Sequence, residues 1–275
     1  MKKSNFIINF AAFFVAFFIC FTSCKKDPNP EPEPMPEPIP QKMMLPSEIV
    51  FDDNHGVGMN GFVVKFIYDD QNRIVNLYRF LQNDPEFDSI VGTYVYNNFS
   101  QLTEIKWVAE GKSKTTQIER YTYSGNFVTS TYQIDNHESH PSTKYELQAD
   151  YMIKEYYGND QEYRTFSYDA LGNITEVIQF IPNNSFNHNE QISYDNKRGV
   201  FSGVNKPNWL WWRFIDHPLW FQTVNNPSKI EFIYDDSERN STTIYEYLEY
   251  NNNDYPTKIR VNGKGEIEIK YIEAK

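Results

Sequence analysis

Phe166-Ser167-Tyr168-Asp169-Ala170-Leu171-Gly172-Asn173-Ile174-Thr175 reads as the end of one β-strand, a turn, and the start of the next. Phe166 and Tyr168 share one face, because side chains alternate along an extended chain. Asp169 ends the strand, since its carboxylate bonds its own backbone to start a turn that Gly172 and Asn173 complete. The phrase recurs at Phe66-Ile67-Tyr68-Asp69-Asp70, Ile192-Ser193-Tyr194-Asp195-Asn196 and Phe232-Ile233-Tyr234-Asp235-Asp236, with looser copies ending at Tyr96-Asn97 and Tyr123-Ser124. Tyrosines 68, 96 and 123 are spaced by 28 and 27 residues, and 168 and 194 by 26. A period near 27 holds one hairpin and its connection, so the chain predicts roughly 14 to 16 strands, each antiparallel to its neighbours. A meander this long must curl or close, because a twisted open sheet rarely exceeds ~10 strands.

The rest of residues 43–275 fits this all-β, up-and-down reading. Runs rich in Val, Ile, Thr, Tyr and Phe are separated by Asn, Asp and Gly. Tyr145, Leu147, Ala149 and Tyr151 alternate with Glu146, Gln148 and Asp150, as in a strand with one dry and one wet face. Ile259-Arg260-Val261 and Ile267-Glu268-Ile269-Lys270-Tyr271 flank Asn262-Gly263, a tight hairpin turn. Residues 61–68 and 73–81 place apolar groups on both faces, which requires a cover on the second face. One stretch breaks the meander: Asn208-Trp209-Leu210-Trp211-Trp212-Arg213-Phe214-Ile215-Asp216-His217-Pro218-Leu219-Trp220-Phe221 holds four of the five tryptophans. It predicts a short aromatic helix or loop, opened by Pro207 and limited by Pro218. Packing into the curl of the sheet is one role for it. A ligand platform on Trp209, Trp211, Trp212 and Trp220 is the other, since Trp faces stack on sugar rings or grip peptides.

The first 23 residues stand apart from this domain. Lys2 and Lys3 precede an apolar run from Phe6 to Phe21, the pattern of a signal peptide. Phe21-Thr22-Ser23-Cys24 resembles the lipobox of bacterial lipoproteins, which implies cleavage before Cys24 and its lipidation. Cys20 and Cys24 are the two cysteines of the chain, so no disulfide is expected in the mature domain. Residues 24–42 form a linker with proline at every second position from 28 to 40. Alternating proline favours an extended polyproline spacer reaching on the order of 50 Å. The 252 residues after the signal carry 24 basic against 37 acidic side chains. That excess of acid argues against nucleic acid as a partner. The membrane partner is reached through the lipid on Cys24.

No Gly-x-Ser-x-Gly elbow, phosphate-binding glycine loop or His-Glu-x-x-His motif is present. His137-Glu138-Ser139-His140 is one residue too short for zinc, and Asp52-Asp53-Asn54-His55-Gly56 lacks the terminal Glu of a calcium loop. No catalytic residue, metal or cofactor is therefore expected. The phrase of residues 168–175 resembles the tyrosine-aspartate repeats of bacterial rearrangement-hotspot shells. Over residues 45–270 the chain is similar to a Bacteroidota lipoprotein family of unassigned function with a porin-like fold. Leu45-Pro46, the Tyr-Asp turns, the insert before Asn225-Asn226-Pro227-Ser228-Lys229-Ile230, and Tyr255-Pro256-Thr257-Lys258-Ile259 carry that similarity. It implies an outer-membrane lipoprotein, at the cell surface or facing the periplasm, and brings no activity. The function reading is a non-catalytic binding or structural module for a glycan or protein. A porin-like transmembrane barrel is the alternative, opposed by Lys65 and Arg79 in its strands and by a terminus without a final aromatic. A glycan-active hydrolase stands third.

Overall fold

The computed structural model describes residues 41–52, 61–82, 88–111, 114–135, 137, 140–157, 161–180, 187–210 and 223–275. They form sixteen strands: β1 (Met44–Phe51), β2 (Phe62–Tyr68), β3 (Ile74–Leu81), β4 (Asp88–Tyr96), β5 (Leu102–Gly111), β6 (Thr115–Ser124), β7 (Phe127–Ile134), β8 (His140–Gln148), β9 (Tyr151–Tyr157), β10 (Gln161–Tyr168), β11 (Ile174–Gln179), β12 (His188–Arg198), β13 (Asn225–Tyr234), β14 (Ser241–Tyr250), β15 (Pro256–Val261) and β16 (Lys264–Glu273). Each pairs antiparallel with its sequence neighbours, and β1 pairs with β16, so the sheet closes into a barrel. The seam opposes Met44 to Glu273 and Phe51 to Ile267. Among the described strands, closure leaves no edge to recruit another chain.

Four tight turns share one geometry, whereas the copy at Phe232–Asp236 ends the odd strand β13 and leads into a 3-10 turn over Ser237–Arg239. Asp69 Oδ1 accepts from the amides of Gln71 and Arg73 at 2.9 and 3.0 Å, and Asn97 Oδ1 from Phe99 and Gln101 at the same distances. Asp169 and Asn251 do likewise. The left-handed residue each turn needs is Asn72, Ser100, Gly172 or Asp254. Asn262 and Gly263, at φ 52° and 67°, join β15 to β16 as expected. One local reading changes: residues 145–151 are not one strand. β8 ends at Gln148 and β9 starts at Tyr151, with Ala149 at φ 49° and Asp150 at φ 68° between them. Two left-handed residues match the twist of a tight hairpin. Ala149 takes that conformation without a glycine's freedom, so the sequence does not announce it.

The tyrosines form a belt inside one end of the barrel. The hydroxyls of Tyr68, Tyr96, Tyr123, Tyr168, Tyr194, Tyr247 and Tyr271 donate to the carbonyls of Pro46, Ile74, Leu102, Met152, Ile174, Pro227 and Pro256, at 2.6 to 3.0 Å. Each comes from an even-numbered strand and reaches the start of an odd one, stitching one hairpin to the next. Burial holds the Tyr68 and Tyr271 hydroxyls well above the ordinary tyrosine range, so they stay donors. On β8 the corresponding place is taken by Leu147, opposite Met152 as Tyr123 is opposite Val128. Tyr194→Phe is expected to lower stability by about 0.5–1.5 kcal/mol through the lost bond. Urea unfolding with an unchanged slope measures it, and an unshifted midpoint would deny the stitch any energetic role.

Alternation sorts the wall. Ile49, Phe51, Phe62, Val64, Phe66, Leu77, Ile105, Ile259, Ile267 and Ile269 point inward and belong to one buried apolar cluster. Between them, Glu48 faces outward and meets Lys65 at 3.4 Å and Lys270 at 2.7 Å across two strand pairs. Arg120 with Glu104, Lys154 with Glu162, and Lys258 and Arg260 with Glu266 continue this outer lattice.

Candidate functional site

The connection from β12 to β13 is the long insert, and its described parts are residues 199–210 and 223–224. Residues 199–210 fold as turns without a helix, held by the amides of Ser202, Val204 and Leu210 on the carbonyls of Gly199, Phe201 and Pro207. The segment turns into the belted end of the barrel. Phe201 meets Phe66 of β2 edge-on, with ring centres 5.4 Å apart, on the inner face of that strand, while Ile67 on its other face stays exposed. Trp209 lies among Tyr121, Tyr145 and Tyr123 at 5.0, 5.3 and 6.1 Å. Gly203 passes so close to the Met44 carbonyl that a Cβ would collide with it. Asn173 clamps the returning chain: its Oδ1 accepts from the amides of Val224 and Asn225 at 2.8 and 2.9 Å.

Beside the insert, at the Leu147 gap in the tyrosine belt, a cleft of about 410 Å³ opens. Its walls come from the β4–β5 turn (Phe99, Ser100, Gln101), Gly125 of the β6–β7 turn, Leu147 and Asp150, and residues 205–209 of the insert. Tyr96, Tyr123 and Trp209 give it aromatic sides, and Arg73 stacks on the Tyr96 ring at 4.4 Å. Phe99 stands at the lip, 85 % exposed, at the turn position that holds Gln71, Leu171 and Asn253 in the matching turns. Asn205 is fixed by its amide on the Asn72 carbonyl at 3.0 Å and by its side chain on the Gln71 carbonyl at 3.2 Å. Lys206 donates to the Phe201 carbonyl at 3.3 Å, and burial pushes its pKa down to about 8. These groups offer hydrogen bonds around aromatic surface, which is the chemistry of a binding recess.

A second polar cluster runs along the inner wall toward the opposite end. Glu155, Arg164, Gln179, His188 and Tyr234 are successive register partners on β9 to β13. Arg164 donates to Glu155 at 2.9 Å, twice to Gln179 Oε1 at 2.7 and 3.0 Å, and to the Tyr163 hydroxyl at 3.2 Å. His188 Nε2 is 3.0 Å from Glu190 Oε1, and its ring packs against Tyr234 and Phe232. The guanidinium is spent within the row, which suits a strut that holds strands in register.

A solved structure shares this architecture. A porin-like protein from Bacteroides uniformis aligns with a TM-score of 0.50 and 15 % identity, over 82 % of this chain and 98 % of that one. The barrel has a porin-like fold. A porin-like protein from Bacteroides vulgatus aligns at 0.42 with 12 % identity, over 83 % and 99 % of the two chains. No protein-family model and no curated protein matches the sequence.

Of the residues singled out in the sequence, Trp209 is 3 % exposed, packed into the barrel with one edge on the cleft. Cys24, Trp211, Trp212 and Trp220 lie outside the described residues. Asp52 pairs with the Glu266 backbone, its Oδ2 accepting from that amide at 2.8 Å. The described residues contain no group of three His, Cys, Asp or Glu side chains arranged for a metal. The cleft residues Phe99, Leu147 and Asp150 carried no motif in the sequence. Their one signal is the missing Tyr-Asp phrase between Tyr123 and Tyr168.

Proposed function

We propose that the chain is a lipid-anchored barrel of the outer membrane that stands in water and acts by binding a glycan or protein, without catalysis. The observation that carries this reading is the polarity of the wall. A barrel that spans lipid turns an apolar band outward, where Lys or Arg at mid-membrane costs about 2–4 kcal/mol each. Here the mid-strand outer positions hold Glu48, Lys65, Arg120 and Lys270, and the apolar cluster lies inside. Porins of 16 to 18 strands leave an aqueous channel. In this barrel Phe201 and Trp209 pack into one end of the interior. The lipid on Cys24 and the proline spacer then serve to attach and lift a domain whose outer wall carries these charges.

A second reading, a porin-like transmembrane barrel, is favoured by the closed sixteen-strand order and by the porin-like name of the B. uniformis neighbour. Residues 41–275, a compact unit, separate the two. Refolded without detergent, they are expected to remain soluble after ultracentrifugation and not to float with phosphatidylcholine vesicles. Pelleting that detergent reverses, or flotation with the vesicles, selects the transmembrane reading.

A further inference from the structure

Seven hydroxyls stitch the belt of tyrosines, and at Leu147 the stitching residue is replaced by one with no hydroxyl and less reach. The gap is where the cleft opens, so the recess is a consequence of the broken repeat. Its volume falls within the roughly 300–1,000 Å³ of small-molecule sites.

The chemistry around it is specific. Phe99 is the most exposed large apolar side chain among the described residues, and the sole aromatic at a turn tip that holds Gln71, Leu171 and Asn253 in the three matching turns. An exposed ring at the lip, with the Tyr96 and Tyr123 rings and the edge of Trp209 further in, presents flat apolar surface at low conformational cost. Gln101, Asp150 and Asn208 add amide and carboxylate groups that can bond hydroxyls of either direction. A pyranose ring has this pair of properties, an apolar face of C–H groups and a rim of hydroxyls.

We infer that the Leu147 cleft is a saccharide site, with Phe99 as the stacking residue at its lip and Gln101, Asp150 and Asn208 reading the hydroxyls. This rests on the proposed binding function and adds its ligand class and place.

The mature chain titrated calorimetrically with neutral oligosaccharides (maltotetraose, chitotetraose, mannotetraose, xylotetraose) provides the test. At least one is expected to bind with a Kd below about 1 mM. Phe99→Ala, a surface change, is expected to weaken that binding about tenfold or more with an unaltered thermal midpoint. Leu147→Tyr refills the gap with the residue found on the other even strands, and is expected to abolish binding while keeping or raising the midpoint. Silence toward every sugar overturns the inference, as does full affinity in either folded variant. A chain that is insoluble without detergent fails the earlier reading before any titration, whereas a soluble chain that binds no sugar fails this inference alone.

Discussion

Trp209→Ala is expected to lower the stability of the barrel by about 3–5 kcal/mol, the range for removing a buried large aromatic. The indole touches Tyr121 and Tyr145 at ring distances of 5.0 and 5.3 Å, and these residues come from β6 and β8, on either side of β7. One side chain therefore ties the insert to two separate strands, and its loss opens a cavity that the closed wall cannot collapse to fill. For a domain of this size the thermal midpoint should fall by roughly 2–4 °C per kcal/mol. The two roles weighed for the tryptophans part company here. A residue that only served a ligand would leave the midpoint in place, so differential scanning calorimetry of the variant decides between packing and display at Trp209.

The fold was legible because its punctuation is local. Asp69, Asn97, Asp169 and Asn251 each bond amides two and four residues on, so every such turn is written in a few consecutive letters. Closure is different. Ile49 opposes Ile269 across the seam, and no pattern within either segment names its partner; strand number alone argued for closing. The turn at Ala149 and Asp150 is not announced because Ala149, unlike Asp150, is not a customary carrier of left-handed backbone.

The cleft was hidden for a related reason, since it is made by an absence. Tyr123 and Tyr168 are 45 residues apart where the period is near 27, and the hairpin between them lacks the phrase. The polar row was out of reach altogether. Glu155 and Arg164 are nine residues apart, and Arg164 and Gln179 fifteen, and only the register brings them side by side.

That row carries the other large expected effect. Arg164→Ala should cost about 3–5 kcal/mol, because it removes one partner of a buried pair and leaves the other charge behind. Glu155 is 3 % exposed and Arg164 12 %, so solvent screens the pair weakly. Gln179 also loses the two bonds it accepts from the guanidinium. The size of the loss reflects the charge left inside more than the net value of the ion pair. Two further measurements separate these contributions. In Glu155→Leu with Arg164→Met, both charges are gone and the volume is kept, so most of the lost stability should return, short of what Gln179 forfeits. In Arg164→Ala alone, acid should narrow the deficit. A proton taken up by the stranded carboxylate in the folded state removes the buried charge, so the folded variant binds more protons than the unfolded chain and its relative stability falls as pH rises. If the double variant is no more stable than Arg164→Ala, the row is held by shape and hydrogen bonding rather than by compensation of charge, and the pH dependence should vanish with it.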